Sequence, residues 1–139
     1  MAVKIREVMT PDPISLPANS SSMEAARTMR DADIGNVVVV DGQKVFGIVT
    51  DRDIVLRVIA EGRDPAVTPL RDICSHELTI LSPQDSVDDA VRLMREKAIR
   101  RLPVVENHQP VGIVSIGDLA LEKEPHSALG NISAAPPNR

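Results

Sequence analysis

Changes in the spacing of apolar residues along the chain predict short strands and helices in alternation. Residues 37–40 are a continuous run of valines, which is typical of a strand buried on both faces. Asp41-Gly42 is a strong hairpin signal, so residues 45–49 are predicted to return as a second strand. Residues 14–16 predict a short extended segment before them. The first half of the chain therefore contains three predicted strands.

Two helices are predicted around this hairpin. Ser21 followed by Glu24 has the pattern of a capping box, and the helix that it opens is expected to end near Gly35-Asn36, since both tolerate left-handed angles. A second helix is predicted from Asp51, with an apolar stripe formed by Ile54, Val55, Val58 and Ile59. The predicted order of the first half is thus β-α-β-β-α.

The same order is repeated 65 residues later. Between residues 21–56 and 86–121, 13 of the 36 aligned positions are identical, and residues 47–53 (GIVTDRD) return as 112–118 (GIVSIGD). A repeat of this length indicates two copies of one structural unit. The predicted domains are a first repeat at 1–65, a linker at about 62–69, a second repeat at 66–124, and a tail at 125–139 that is expected to be disordered.

Composition narrows the classes of function. The net charge of −4 and pI near 5.3 argue against nonspecific nucleic-acid binding, which needs a basic face. The chain has no Trp, no Tyr and a single Phe, so base-stacking platforms are also excluded. With one cysteine, no signal-peptide pattern and no long apolar run, a cytoplasmic protein without a membrane span is expected.

The duplicated motif carries the candidate chemistry. Thr50 and Asp53 lie three residues apart where a predicted strand meets a predicted helix, and Ser115 and Asp118 reproduce the pair. Such a junction presents unpaired backbone N–H groups and the positive end of the helix dipole. A carboxylate at this place can accept hydrogen bonds from two adjacent hydroxyls, as in a ribose, and a neighbouring hydroxyl can bind a sugar or phosphate oxygen.

Helix capping is the alternative explanation of the motif. Thr or Ser followed three residues later by Asp is itself a capping-box pattern, and the chain has comparable pairs at Ser21/Glu24 and Ser86/Asp89. The duplicated motif differs from those pairs because an apolar strand and a glycine precede it. Both explanations stay open from the residues alone.

Three stretches resemble the tandem cystathionine β-synthase (CBS) domain pair: residues 8–14 (VMTPDPI), 47–54 (GIVTDRDI) and 99–105 (IRRLPVV). The resemblance spans about residues 3–123. It implies an α/β fold of two pseudo-symmetric copies packed through their sheets, with two clefts between them. It also implies binding of adenosine-containing ligands, such as AMP, ADP, ATP, S-adenosylmethionine or dinucleotides.

The resemblance assigns roles to individual residues. The ribose and phosphate candidates are Thr50, Asp53, Ser115 and Asp118; the further phosphate candidates are Arg52, Arg100 and Arg101; the adenine-pocket candidates are Ile14, Val37, Ile80 and Leu102. The copies are not equivalent, because Gly35-Asn36 stands in the first where Arg100-Arg101 stands in the second. One cleft is therefore expected to prefer a charged nucleotide.

The resulting hypothesis is a cytoplasmic, non-catalytic regulatory module. It would bind an adenine nucleotide or S-adenosylmethionine as a regulatory ligand, with no required cofactor and no metal, form a homodimer, and act on an unknown effector protein. A structural dimerisation module with empty clefts is the alternative. An enzyme is the least favoured hypothesis, since no nucleophile–base pair, metal cluster or P-loop is visible in the sequence.

Overall fold

A computed structural model describes residues 3–75 and 79–123, with side chains to residue 120. In chain order these residues form a 3₁₀ turn (Ile5–Glu7), β1 (Thr10–Pro11), β2 (Ser15–Pro17), α1 (Ser22–Ala32), β3 (Asn36–Asp41), β4 (Lys44–Thr50), α2 (Asp51–Ile54), a π-helical stretch (Val55–Ile59), a second 3₁₀ turn (Leu70–Asp72), α3 (Val87–Lys97), β5 (Arg101–Glu106), β6 (Gln109–Ser115) and α4 (Ile116–Lys123). The predicted α/β class is confirmed. The tail at 125–139 lies outside the described residues.

Two compact units make up the fold. One is the continuous unit, Ile14–Leu78, and the other is the split unit, Met1–Pro13 together with Thr79–Arg139. Each unit holds one three-stranded sheet. None of the helices in residues 3–75 and 79–123 has the length and apolar character needed to cross a bilayer.

The sheet of the continuous unit has the order β2-β3-β4, with β2 parallel and β4 antiparallel to β3. Val37, Val38 and Val39 are at most 1% exposed, so the predicted burial of this strand on both faces is confirmed. Met29 of α1 and Val58 of the π-helical stretch belong to the same core cluster as Val37 and Val39. Val49 of β4 belongs to this cluster too, so apolar side chains of β3, β4, α1 and the π-helical stretch form one core.

The sheet of the split unit has the order β1-β6-β5, and all its strands are antiparallel. The hairpin between β5 and β6 turns at Asn107 and His108, which both have positive φ angles of 53° and 67°. A two-residue turn of this kind matches the twist of the flanking strands. Leu102, Val114 and Leu119 are among the buried residues of this unit's core.

The compact units do not follow the division by sequence repeat at 1–65 and 66–124. Ile5 is fully buried in the core of the split unit, and its amide donates to the Asp85 carbonyl at 2.8 Å. Leu70 is fully buried in the core of the continuous unit, and its amide donates to the Ser20 carbonyl at 2.9 Å. The first 3₁₀ turn, in the first repeat, therefore supplies a core residue to the split unit. The second 3₁₀ turn, in the second repeat, supplies one to the continuous unit.

Both long helices end at a residue in the left-handed conformation that is not a glycine. α1 ends at Ala32, and Asp33 takes the left-handed conformation with φ 58° and ψ 48°, so the predicted end near Gly35-Asn36 is wrong. α3 ends at Lys97, and Ala98 is left-handed with φ 53°. Aspartate reaches this region at modest cost, which explains the first end. At the second end, the Ile99 amide that follows Ala98 donates to the Met94 carbonyl at 3.1 Å.

Candidate functional site

The first motif lies where β4 ends at Thr50 and α2 begins at Asp51. Thr50 has extended angles, and its amide donates to Asp53 Oδ2 at 2.8 Å. The Asp53 amide donates in turn to Thr50 Oγ1 at 3.1 Å. The Asp53 side chain is 21% exposed. The carboxylate is therefore fixed by the backbone but still reachable from outside the core.

The second motif has the same construction where β6 meets α4. The Ser115 amide donates to Asp118 Oδ2 at 2.8 Å, and the Asp118 amide donates to Ser115 Oγ at 3.2 Å. Ser115 Oγ also lies 3.0 Å from Asp118 Oδ2, as a donor to it. The two aspartates and their hydroxyl partners thus recur in equivalent places in the two units.

Both motifs form the hydrogen bonds of a capping box, so the capping explanation is structurally valid. Ser86 and Asp89 form a third capping box at α3, with the Asp89 amide 3.1 Å from Ser86 Oγ. Hydrogen bonds from the Ser86 side chain and backbone lower the pKa of Asp89. At Ser21 the serine half of the box is formed, with the Glu24 amide 3.1 Å from Oγ. Capping alone therefore does not separate the two motifs from an ordinary helix start.

Arg100 and Arg101 lie at the second motif. Arg101 opens β5 directly opposite Ser115 of β6, and the Arg100 carbonyl accepts from the Ile116 amide at 2.9 Å. At the first motif the matching places are taken by Asn36, opposite Thr50, and by Gly35, whose carbonyl accepts from Asp51 at 3.0 Å. The backbone of the predicted cationic pair thus lies beside Ser115 and Ile116, at the start of α4.

The remaining sequence candidates differ in exposure. Arg52 is exposed on α2 beside Asp53. Ile14 and Ile80 are 41% and 44% exposed, which is high for isoleucine. Ile14 precedes β2, and Ile80 precedes Leu81, which forms an isolated bridge with Val104. Val37 and Leu102 are each 1% exposed and belong to the core clusters of their own units. Of the four adenine-pocket candidates, only the two isoleucines present apolar surface.

Sequence reasoning missed Arg57. Its Nε lies 3.8 Å from Asp53 Oδ1, and its Nη1 donates to the Ile73 carbonyl at 2.9 Å. The signal was available, because Arg57 follows Asp53 by one helical turn, and the position 65 residues later holds Glu122. The two motifs therefore differ in the sign of the charge four residues after the aspartate.

Cys74 is fully buried, and burial raises the pKa of its thiol above the ordinary value of 9.0. Within the part of the chain that the structure describes, no three His, Cys, Asp or Glu residues group as metal ligands.

Comparison with known proteins identifies the family. The CBS domain profile matches this chain twice, at residues 5–60 and 70–123. The CBS domain-containing protein YhcV of Bacillus subtilis (strain 168) is 40% identical over 133 residues, covering 93% of this chain and 94% of YhcV.

Solved structures agree with this assignment. A protein with CBS domains from Burkholderia ambifaria MC40-6 superposes with a TM-score of 0.81 at 27% identity, covering 90% of this chain and 96% of that protein. The CBS domain pair of protein MJ0100, solved in complex with 5′-methylthioadenosine and S-adenosyl-L-methionine, has a TM-score of 0.78 at 25% identity, covering 86% and 94%. The chain therefore belongs to the CBS domain family and is a tandem CBS domain pair, a regulatory module.

Proposed function

We propose that this CBS domain pair binds adenosine-containing ligands at its two hydroxyl–aspartate motifs. The observation that carries the proposal is the recurrence of one arrangement in both units: Thr50 with Asp53, and Ser115 with Asp118. In each, a backbone amide at a strand end donates to a partly buried carboxylate and orients it. A carboxylate oriented in advance binds a ligand without a further loss of side-chain freedom.

The capping role and the ligand role are compatible. Each carboxylate oxygen can accept two hydrogen bonds, and the Thr50 amide uses one place on Asp53 Oδ2. The remaining lone pairs suit the two adjacent hydroxyls of a ribose, since hydrogen bonds to a charged acceptor are short and strong. Helix capping then serves to position the group that binds the sugar.

The surrounding residues favour an adenosyl ligand. The exposed isoleucines Ile14 and Ile80 offer apolar surface for an adenine ring. Arg100 and Arg101, beside Ser115, offer positive charge for a phosphate, so the second motif would take the more highly phosphorylated ligand. The MJ0100 pair binds two adenosyl compounds, S-adenosyl-L-methionine and 5′-methylthioadenosine, which supports this ligand class for a relative of the same fold.

The proposed module is non-catalytic and works as a homodimer that acts on an effector protein. Val55, Leu56 and Ile59 are 55%, 44% and 58% exposed on one helical segment. An exposed apolar patch of this kind usually marks a protein interface. A ligand that changes the interface would then be sensed by the effector.

The apolar stripe predicted for this helix is divided in the structure. Ile54 and Val58 belong to the core, and the other members of the stripe are exposed.

A structural dimerisation module without a ligand is the second candidate. It is favoured by the closed capping boxes, which give both aspartates a use in the folded chain alone. The ultraviolet spectrum of the purified protein separates the two functions. Because the chain lacks Trp and Tyr, it absorbs little near 280 nm, and a co-purified adenosyl compound would dominate near 260 nm. A flat spectrum and no calorimetric response to adenosyl compounds would favour the structural function.

A further inference from the structure

The aspartates of the two motifs differ in what supports them. Asp118 Oδ2 accepts from the Ser115 hydroxyl at 3.0 Å as well as from the Ser115 amide. Asp53 has the Arg57 guanidinium beside its other oxygen, with Nε 3.8 Å from Oδ1. The residue four positions after Asp118 is Glu122, which carries the opposite charge. A cation four residues after the aspartate is therefore particular to the first motif.

Arg57 is anchored independently of Asp53. Its Nη1 donates at 2.9 Å to the carbonyl of Ile73, a fully buried core residue at the end of the second 3₁₀ turn. The planar guanidinium presents several N–H donors in a fixed fork, so one edge can bind the carbonyl while another faces the carboxylate. Because the core holds Ile73 in place, its carbonyl limits the movement of the guanidinium.

The backbone also changes at Arg57. Residues Val55–Ile59 are π-helical, and the Ala60 amide donates to the Val55 carbonyl at 2.8 Å, five residues back. In the split unit, α4 stays α-helical from Ile116 to Lys123. Short π-helical stretches are rare and occur often at functional sites. The two repeats thus diverge in backbone geometry at the same place where they diverge in charge.

We propose that Arg57 is a positioning residue for the ligand site at Asp53. Held by the Ile73 carbonyl, it keeps the Asp53 carboxylate in the orientation that binds ribose hydroxyls, while Asp118 is held by its own serine. This inference rests on the proposed function. It makes the affinity of the Asp53 site depend on Arg57, and leaves the affinity of the Asp118 site independent of it.

A double-mutant cycle tests this dependence, with 5′-methylthioadenosine as the probe in calorimetry because it carries no phosphate that Arg57 could contact directly. Arg57→Gln should weaken one binding event by at least about threefold, in the range of coupled neighbouring residues. In the Asp53→Asn background the same change should have no further effect on affinity. In the Asp118→Asn background both losses should appear, one at each site.

The matched control is Arg30→Gln, which removes an arginine from an exposed ion pair with Asp31 on α1 and should leave affinity unchanged. Melting without ligand checks that each variant folds. If the wild-type protein binds no adenosyl compound, the proposed function is overturned and this inference with it. If Asp53→Asn weakens binding but Arg57→Gln does not, or weakens it equally with and without Asp53, only the role of Arg57 is overturned.

Discussion

Thr50 and Asp53 exchange two hydrogen bonds across the first turn of α2, from the Thr50 amide to Asp53 Oδ2 at 2.8 Å and from the Asp53 amide to Thr50 Oγ1 at 3.1 Å. The exchange joins the end of β4 to the start of α2. It also fixes a carboxylate where the core meets the surface. These two hydrogen bonds thus stabilise the strand–helix junction and orient the carboxylate that we propose as a ribose site.

Gly47 allows close packing of the chain behind this motif. A Cβ at this position would lie 2.6 Å from the Ser75 carbonyl oxygen and 3.3 Å from Cys74 Sγ. Gly47→Ala should therefore lower the free energy of unfolding by about 1–3 kcal/mol, as for other overpacked sites. Urea denaturation measures the change.

Gly112→Ala is the matched comparison. A Cβ there would meet the flexible side chain of Met9 first and the Thr10 carbonyl at 3.1 Å. Because methionine adapts its shape readily, this variant should lose less stability than Gly47→Ala. Wild-type stability in Gly47→Ala, or a larger loss in Gly112→Ala, would contradict the described packing.

Much of this organisation follows from the sequence, and the exceptions have physical causes. The valine run, the hairpin turns and the serine caps are local signals, so their elements could be predicted. The unit against which each 3₁₀ turn packs could not be predicted. Ile5 and Leu70 occupy the same position in the two repeats, and only tertiary packing distinguishes them. For the site, the duplicated motif and the Arg100-Arg101 pair of the second copy could be predicted from the sequence. The pairing of Arg57 with Asp53 could have been predicted from their i,i+4 spacing, but the hydrogen bond from Arg57 to the Ile73 carbonyl could not, because it depends on tertiary packing.

The exposed patch formed by Val55, Leu56 and Ile59 should hold a homodimer together. Ile59→Asp places a charge at a residue that is 58% exposed, and it should dissociate the dimer because an unpaired charge in an apolar interface is costly. Sedimentation should give twice the chain mass of 15.0 kDa for the wild type and the single mass for the variant.

Val67→Asp controls for added charge, since Val67 is 74% exposed and lies outside this patch. It should sediment as the wild type does. A wild-type protein that sediments as a monomer at micromolar concentration would contradict the predicted homodimer.

Cys74 should be protected from thiol reagents in the folded protein. Burial raises the pKa of the thiol above 9.0, so the folded pKa exceeds the unfolded one. The stabilisation that comes from the protonated thiol is therefore complete below about pH 9 and is lost as the pH rises through the folded pKa. Labelling at pH 8 should be slow in the native protein and fast in urea.

Cys74→Ala provides the comparison at alkaline pH. It should be less stable at neutral pH, because a buried sulfur is removed, but its stability should fall less between pH 8 and pH 10 than that of the wild type. Fast labelling of the native thiol, or an equal alkaline loss in both proteins, would show that Cys74 is not buried as described.

Calorimetry with S-adenosylmethionine, AMP and ATP tests the proposal that Asp53 and Asp118 bind the ribose of adenosyl ligands. Asp53→Asn and Asp118→Asn keep an acceptor oxygen for the cap but lose the charge, whereas Asp89→Asn makes the same change at a capping box outside the motifs. We expect each motif variant to weaken one binding event about 10- to 150-fold, the value of a hydrogen bond to a charged group, while Asp89→Asn binds as the wild type does. Asp118→Asn should lose more affinity for AMP and ATP, because Arg101 lies opposite Ser115 and Arg100 precedes Arg101. Equal binding by the wild type and both motif variants would show that Asp53 and Asp118 do not bind the ligand.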